Sequence, residues 1–154
     1  MRLKHYAFAL IAMVCALFAT STTSPVQAQT AKPGLFINLT TDDTWAAAKA
    51  IMFAHEKALK NGHRPVAIWL NIRAVYLANK NRPSHVHGLL RDKNQSIQDM
   101  LRAFMKDGGI VLMCQACTKA AGLKPEDYID GVQMGSWDRV SALLFAPNVK
   151  TLSW

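Results

Sequence analysis

A single α/β domain, with a five-stranded parallel sheet and helices on both faces, is predicted by three observations. The chain has 154 residues and is 51% apolar, enough for one real core. Strand-like apolar runs alternate with segments of helical period in the order β-α-β-loop-α-β-α-β-α-β, the order that builds a parallel sheet. The run PVAIWLN (65–71) carries five apolar residues in succession, as a parallel strand covered on both faces requires.

The N-terminal residues stand outside that domain. Arg2 and Lys4 precede a short apolar run over 6–19, and a polar stretch then places Val26 and Ala28 at the −3 and −1 positions of a signal-peptidase site. The run is shorter than the ~20 residues a spanning helix needs. A cleavable leader over 1–28 is therefore expected, with a periplasmic or otherwise exported mature chain and no stable membrane insertion afterwards. Cys15 lies inside the leader. Residues 29–34 form a linker, and the domain occupies 35–154. Without Arg2 and Lys4 the formal charge of +8 becomes +6. The basic residues form no run interleaved with aromatics, so nucleic acid is not an expected partner.

Within the domain, LFINL (35–39) has strand character. Thr41 or Asp42 is the expected cap of the next helix, with Asp43 in its first turn. Over 43–60, Trp45, Ala48, Ile51, Met52, His55, Ala58 and Leu59 recur at helical steps, and Asn61-Gly62 ends the pattern. The second strand is 65–71. A polar loop is expected over 74–95. In 96–107, Ile97, Met100, Leu101, Phe104 and Met105 form one helical stripe, broken by Asp107-Gly108-Gly109. Strand three, IVLM (110–113), runs into a short helix over 117–121. A helical turn begins at Pro125, with Glu126 and Asp127 near its positive end. GVQM (131–134) is a fourth strand. Trp137, Val140, Ser141, Leu144 and Phe145 share a face of the last helix, and VKTLSW (149–154) is a final edge strand.

The chemistry concentrates in VLMCQACTKAAG (111–122). Cys114 ends a strand, where ligands gather in open parallel sheets, and precedes a helix whose N–H groups lower a thiol pKa. Cys117, three residues on, can resolve whatever forms on Cys114. A purely structural disulfide between them would close a very short loop and add little stability. Asn71 and Arg73, after strand two, can meet an anionic donor. Thr40, Asp42 and Asp43, after strand one, can orient that donor or simply cap the helix. Metal binding is a further option: His85 and His87 with the two thiols could hold zinc or copper, or the HVH segment is a solvated loop that brings positive charge to Cys114. His55 reads as a packed histidine and His63 as a surface or cap residue. Trp45, Trp69 and Trp137 read as core or as an oligomer interface.

Together, NLTTDDTWAAAKAIMFAHEKALKNGHRPVAIWLN (38–71) and VLMCQACTKAAGL (111–123) with YIDGVQMGSWDRVSALLF (128–145) resemble the DsrE/DsrF family of small sulfur-handling proteins. The resemblance implies a three-layer α/β/α sandwich and a homo-oligomer, trimer or hexamer. It also implies that a cysteine at the position of Cys114 accepts sulfane sulfur as a persulfide and passes it to a partner protein thiol, with no metal or organic cofactor. Two features depart from the pattern: Cys117 stands where a small residue is usual, and the chain carries an export leader. A periplasmic thiol-disulfide protein using the Cys114/Cys117 pair is the alternative. Against a thioredoxin-like version, no Ile-Pro or Thr-Pro dipeptide is present.

Overall fold

The computed structural model describes residues 32–83 and 88–154. The expected leader, Cys15, the first part of the linker, and His85 and His87 lie outside the described residues. Strand β1 (Gly34–Leu39) leads to helix α1 (Thr44–Met52), which continues as π turns over Phe53–Ala58 and a 3-10 turn over Leu59–Asn61. Strand β2 (Val66–Leu70) is followed by 3-10 segments at Ile72–Ala78 and Gly88–Lys93, then helix α2 (Ile97–Lys106). Strand β3 (Ile110–Cys114) runs straight into helix α3 (Gln115–Ala120). A 3-10 turn (Pro125–Asp127), β4 (Gln133–Gly135), α4 (Trp137–Leu144) and β5 (Val149–Ser153) complete the chain.

The five strands form one parallel sheet in the order β4-β3-β2-β1-β5. This is the predicted α/β architecture, with β5 at an edge. Register sets Leu70 beside Met113 and Cys114 beside Gly135, so β3 runs one residue past β2 and ends level with β4.

The two faces carry unequal cover. On one, Ile37, Leu39, Ile68, Leu70, Val111 and Met113 pack against Ile51, Leu101, Phe104 and other side chains of α1, α2 and the Ile72–Ala78 segment. On the other, Phe36, Ala67 and Leu112 meet Val140 of α4, with Trp69, Leu143 and Leu144 partly buried around them.

Three expectations need correction. Asp43, not Thr41 or Asp42, caps α1: its Oδ1 accepts the Ala46 N–H at 2.8 Å. The cap falls one residue later because Asp42 is held by two arginines instead. The polar loop expected over 74–95 begins as ordered core, with Ala74, Val75, Leu77 and Ala78 buried. Their spacing follows a three-residue turn, which a 3.6-residue search passes over. Finally, Trp45 and Trp137 are 66% and 67% exposed, so neither belongs to the core.

Candidate functional site

Two sulfur atoms lie at the carboxyl end of the sheet. Cys114 is the last residue of β3 and the cap of α3. Its extended backbone turns the Sγ back over the helix start, where it accepts the Cys117 N–H at 3.2 Å. The Cys114 and Cys117 sulfurs are joined as a disulfide, their Cα atoms 5.2 Å apart.

The supports run inward. Thr118 Oγ1 donates to the Cys114 carbonyl at 2.8 Å, and the buried Tyr128 hydroxyl donates to Thr118 Oγ1 at 2.8 Å. Burial pushes the Tyr128 phenol up, which keeps it a neutral donor. An Asn79–Tyr128 bridge ties this strut to the Ile72–Ala78 segment, and Gln98 Nε2 donates to the Asn79 carbonyl at 2.7 Å.

The two sulfurs differ in access. Cys114 is 8% exposed and belongs to the core cluster. Cys117 is partly exposed and lines an open groove of about 300 Å³ with Ile72, Arg73, Tyr76, Ala120 and Ala121. Cys117, not Cys114, is therefore the more open of the two sulfurs. At the start of α3, the capping position points a side chain inward over the helix end, and the residue one turn later faces out.

Of the residues expected to meet a donor, Asn71 and Arg73 are brought to the pair. Asn71 caps the Ile72–Ala78 segment; its Oδ1 accepts the Ile72 N–H at 2.9 Å and lies 3.1 Å from Cys117 Sγ. Ile72 has φ +50°, a left-handed conformation that β-branched residues avoid, and its N–H also points at Cys117 Sγ, at 3.2 Å. Arg73 stands on the groove wall. Its Nε and Nη2 bind Asp42 Oδ1 and Oδ2 at 2.9 and 3.1 Å. Arg82 Nη2 reaches Asp42 Oδ2 at 3.1 Å. These guanidiniums, Arg73 first, hold the Asp42 carboxyl below the usual carboxylate range. Asp42 therefore positions Arg73 and does not line the groove. Thr40 meets the site through its backbone: its carbonyl accepts the Arg73 N–H at 3.1 Å, while its Oγ1 turns away and donates to the Trp154 carbonyl at 2.7 Å.

Ile72, Tyr76 and Arg82 were not singled out from sequence. Arg82, lying over the Tyr76 ring at 5.5 Å, falls in what reads as a featureless polar stretch, and nothing in the sequence marks Ile72 as left-handed.

A second cleft, of about 310 Å³, lies between the π-helical continuation of α1 and α2 and contains no thiol. His55 is buried there, its Nε2 2.7 Å from Asp107 Oδ2, a packed and partnered histidine. His63 bonds the Pro33 carbonyl through Nδ1 at 2.6 Å. Among the described residues no three His, Cys, Asp or Glu side chains gather as a metal site.

Comparison with known proteins places this geometry in a family. The DsrE/DsrF-like family matches residues 32–146. An uncharacterized protein of Methanocaldococcus jannaschii, MJ0989, is 33% identical over 88 residues, which span 56% of this chain and 70% of that protein. The fold is similar to the crystal structure of the ychN protein from E. coli, with a TM-score of 0.64 at 15% identity over 80% of this chain and 99% of that one. It is also similar to a protein of unknown function, MTH1491, from Methanobacterium thermoautotrophicum, with a TM-score of 0.57 at 12% identity over 80% of this chain and all of that one. With three quarters of its length matched, Cys114 and Cys117 included, the chain belongs to the DsrE/DsrF-like family.

Proposed function

We propose that this protein is a sulfur relay: the Cys114/Cys117 pair takes sulfane sulfur from a donor as a cysteine persulfide and passes the outer sulfur to a partner protein thiol. One observation carries the reading. Two cysteine sulfurs sit at the open end of a parallel sheet, each met by a backbone N–H, with one facing a groove that holds a guanidinium. N–H donors favour the thiolate over the thiol, and the thiolate is the nucleophile. The groove gives a donor an approach that a buried staple would lack.

The transfer is redox-neutral. A cysteine thiolate attacks the donor's outer sulfur and forms a new S–S bond; the donor's own S–S bond breaks, and the remainder leaves with the electron pair. A partner thiolate then attacks the persulfide's outer sulfur, and the cysteine leaves as thiolate. Reduced protein treated with polysulfide should either release thiocyanate when cyanide is added or expel sulfide as its own disulfide closes. The Cys114→Ser/Cys117→Ser double variant should do neither. Equal thiocyanate and equal sulfide from both would end the proposal.

The Cys114–Cys117 bond itself favours a second reading, a thiol-disulfide protein. A dithiol potential near that of dedicated oxidants, about −120 to −180 mV, would support it over sulfur relay.

The proposal includes an exported homo-oligomer. Export rests on the leader pattern over 1–28 and requires mature protein beginning at Gln29 in the periplasmic fraction. Self-association is supported by the exposed Trp45, Trp137 and Phe145, and by the thin cover that α4 provides, among the described residues, on one sheet face.

A further inference from the structure

We propose that Cys117, not Cys114, takes up the sulfur, that Cys114 is the resolving thiol, and that the groove admits a small anionic sulfane donor. The assignment rests on the sulfur-relay reading above and reverses the order that strand-end position suggests.

Access comes first. The attacking thiolate must line up with the donor's breaking S–S bond, so the donor needs open space beside the cysteine sulfur. Cys114 is 8% exposed and packed among core residues, whereas Cys117 borders the groove.

The backbone around Cys117 is arranged for a charged sulfur. Ile72 adopts a left-handed conformation although it is β-branched, and the result is an N–H directed at Cys117 Sγ from 3.2 Å. The Ile72 side chain is 58% exposed, so apolar burial does not account for that conformation. Asn71 Oδ1, 3.1 Å from the sulfur, is placed to accept an S–H and so favours the thiol; the Ile72 N–H and the Arg73 guanidinium at the groove are the groups that favour the thiolate.

Charge defines the donor. Asp42 is shared between Arg73 and Arg82, so these three groups carry one net positive charge. Arg73 commits Nε and Nη2 to Asp42, and its Nη1 edge lies outside that pair, on a side chain 68% exposed at the groove. A short inorganic polysulfide, or another small dianion with a terminal sulfane sulfur, fits this sign and size.

The steps balance. Cys117 thiolate attacks the terminal sulfur of a polysulfide dianion; a Cys117 Sγ–S bond forms, and the chain shortened by one sulfur leaves with the electron pair of the broken S–S bond. When a partner thiolate is present it takes the outer sulfur. When none is present, Cys114 thiolate attacks Cys117 Sγ. The intramolecular disulfide forms, the outer sulfur leaves as hydrosulfide, and the dithiol has lost the two electrons that the sulfane sulfur gained. The Cys117 N–H that Cys114 Sγ accepts stabilises the attacking thiolate.

The test uses the full mature chain, reduced and desalted, with inorganic polysulfide as probe and intact mass as readout. Cys114→Ser should accumulate and hold a single increment of about 32 Da. Cys117→Ser should load roughly tenfold less or more slowly, because its remaining thiol is the shielded one. Loading of Cys117→Ser equal to or above that of Cys114→Ser overturns the assignment while leaving sulfur relay intact. If neither variant nor wild type takes up sulfur or releases sulfide, the sulfur-relay reading itself fails. Because a serine variant can misfold, reduced wild type is also labelled with iodoacetamide and mapped by fragment ions. Cys117 should react roughly tenfold faster than Cys114; faster reaction at Cys114 overturns the assignment without any substitution.

Discussion

Asp42 shows how one carboxylate shapes the candidate site from behind it. Its two oxygens hold Arg73 and Arg82, and its titration is depressed chiefly by the Arg73 hydrogen bond. A depressed folded-state titration contributes stability above the unfolded-state value, near pH 4. That contribution is lost as pH falls through the lower folded-state value. Asp42→Asn is therefore expected to cost about 1 kcal/mol at pH 7, modest because water screens the guanidiniums. In urea melts from pH 7 to pH 2, the gap between wild type and variant should close below about pH 4. A gap that stays constant with pH would show that the ion pairs contribute nothing. Residue chemistry was legible in the sequence where it was local. The CxxC spacing alone marked Cys114 and Cys117. The Asp42–Arg73 pair, 31 residues apart, and the left-handed Ile72 depend on how β1 and β2 align, which no local pattern encodes.

At the scale of elements, close packing sets the position of β3. Gly109 precedes the strand, and a Cβ there would overlap the Phe104 ring, one of the largest fully buried side chains. Gly109→Ala is expected to lose about 1–3 kcal/mol in chemical denaturation, because the ring has nowhere to move in a filled core. An unchanged midpoint would mean that the turn relaxes freely. Helix α2 was legible because its buried Ile97, Met100, Leu101 and Phe104 follow one clean stripe. Helix α4 was legible as a helix but not in what it buries: of its residues Val140 alone is buried, and Trp137 stacks edge-on against Phe145 at the surface, 6.4 Å between ring centroids. Periodicity reports an apolar face but cannot say whether this chain or a second one covers it.

For the molecule as a whole, alternation of strands and helices was enough to predict a five-stranded parallel sheet, and right-handed crossovers leave few other arrangements. The unequal cover of its two faces was not foreseeable, because it depends on which side each crossover takes. If Trp137 and Phe145 meet a second copy, Trp137→Glu should shift the sedimentation profile to smaller species, since a charge buried at such a contact is costly. A profile identical to wild type would exclude this patch as the interface.

The most direct measurement of the central claim is the intact mass of the reduced full-length mature protein after brief exposure to inorganic polysulfide. Sulfur relay through the cysteine pair predicts a transient gain of about 32 Da in wild type that never forms in the Cys114→Ser/Cys117→Ser variant. The same increment on both proteins, or on neither with no sulfide released by wild type, would contradict it.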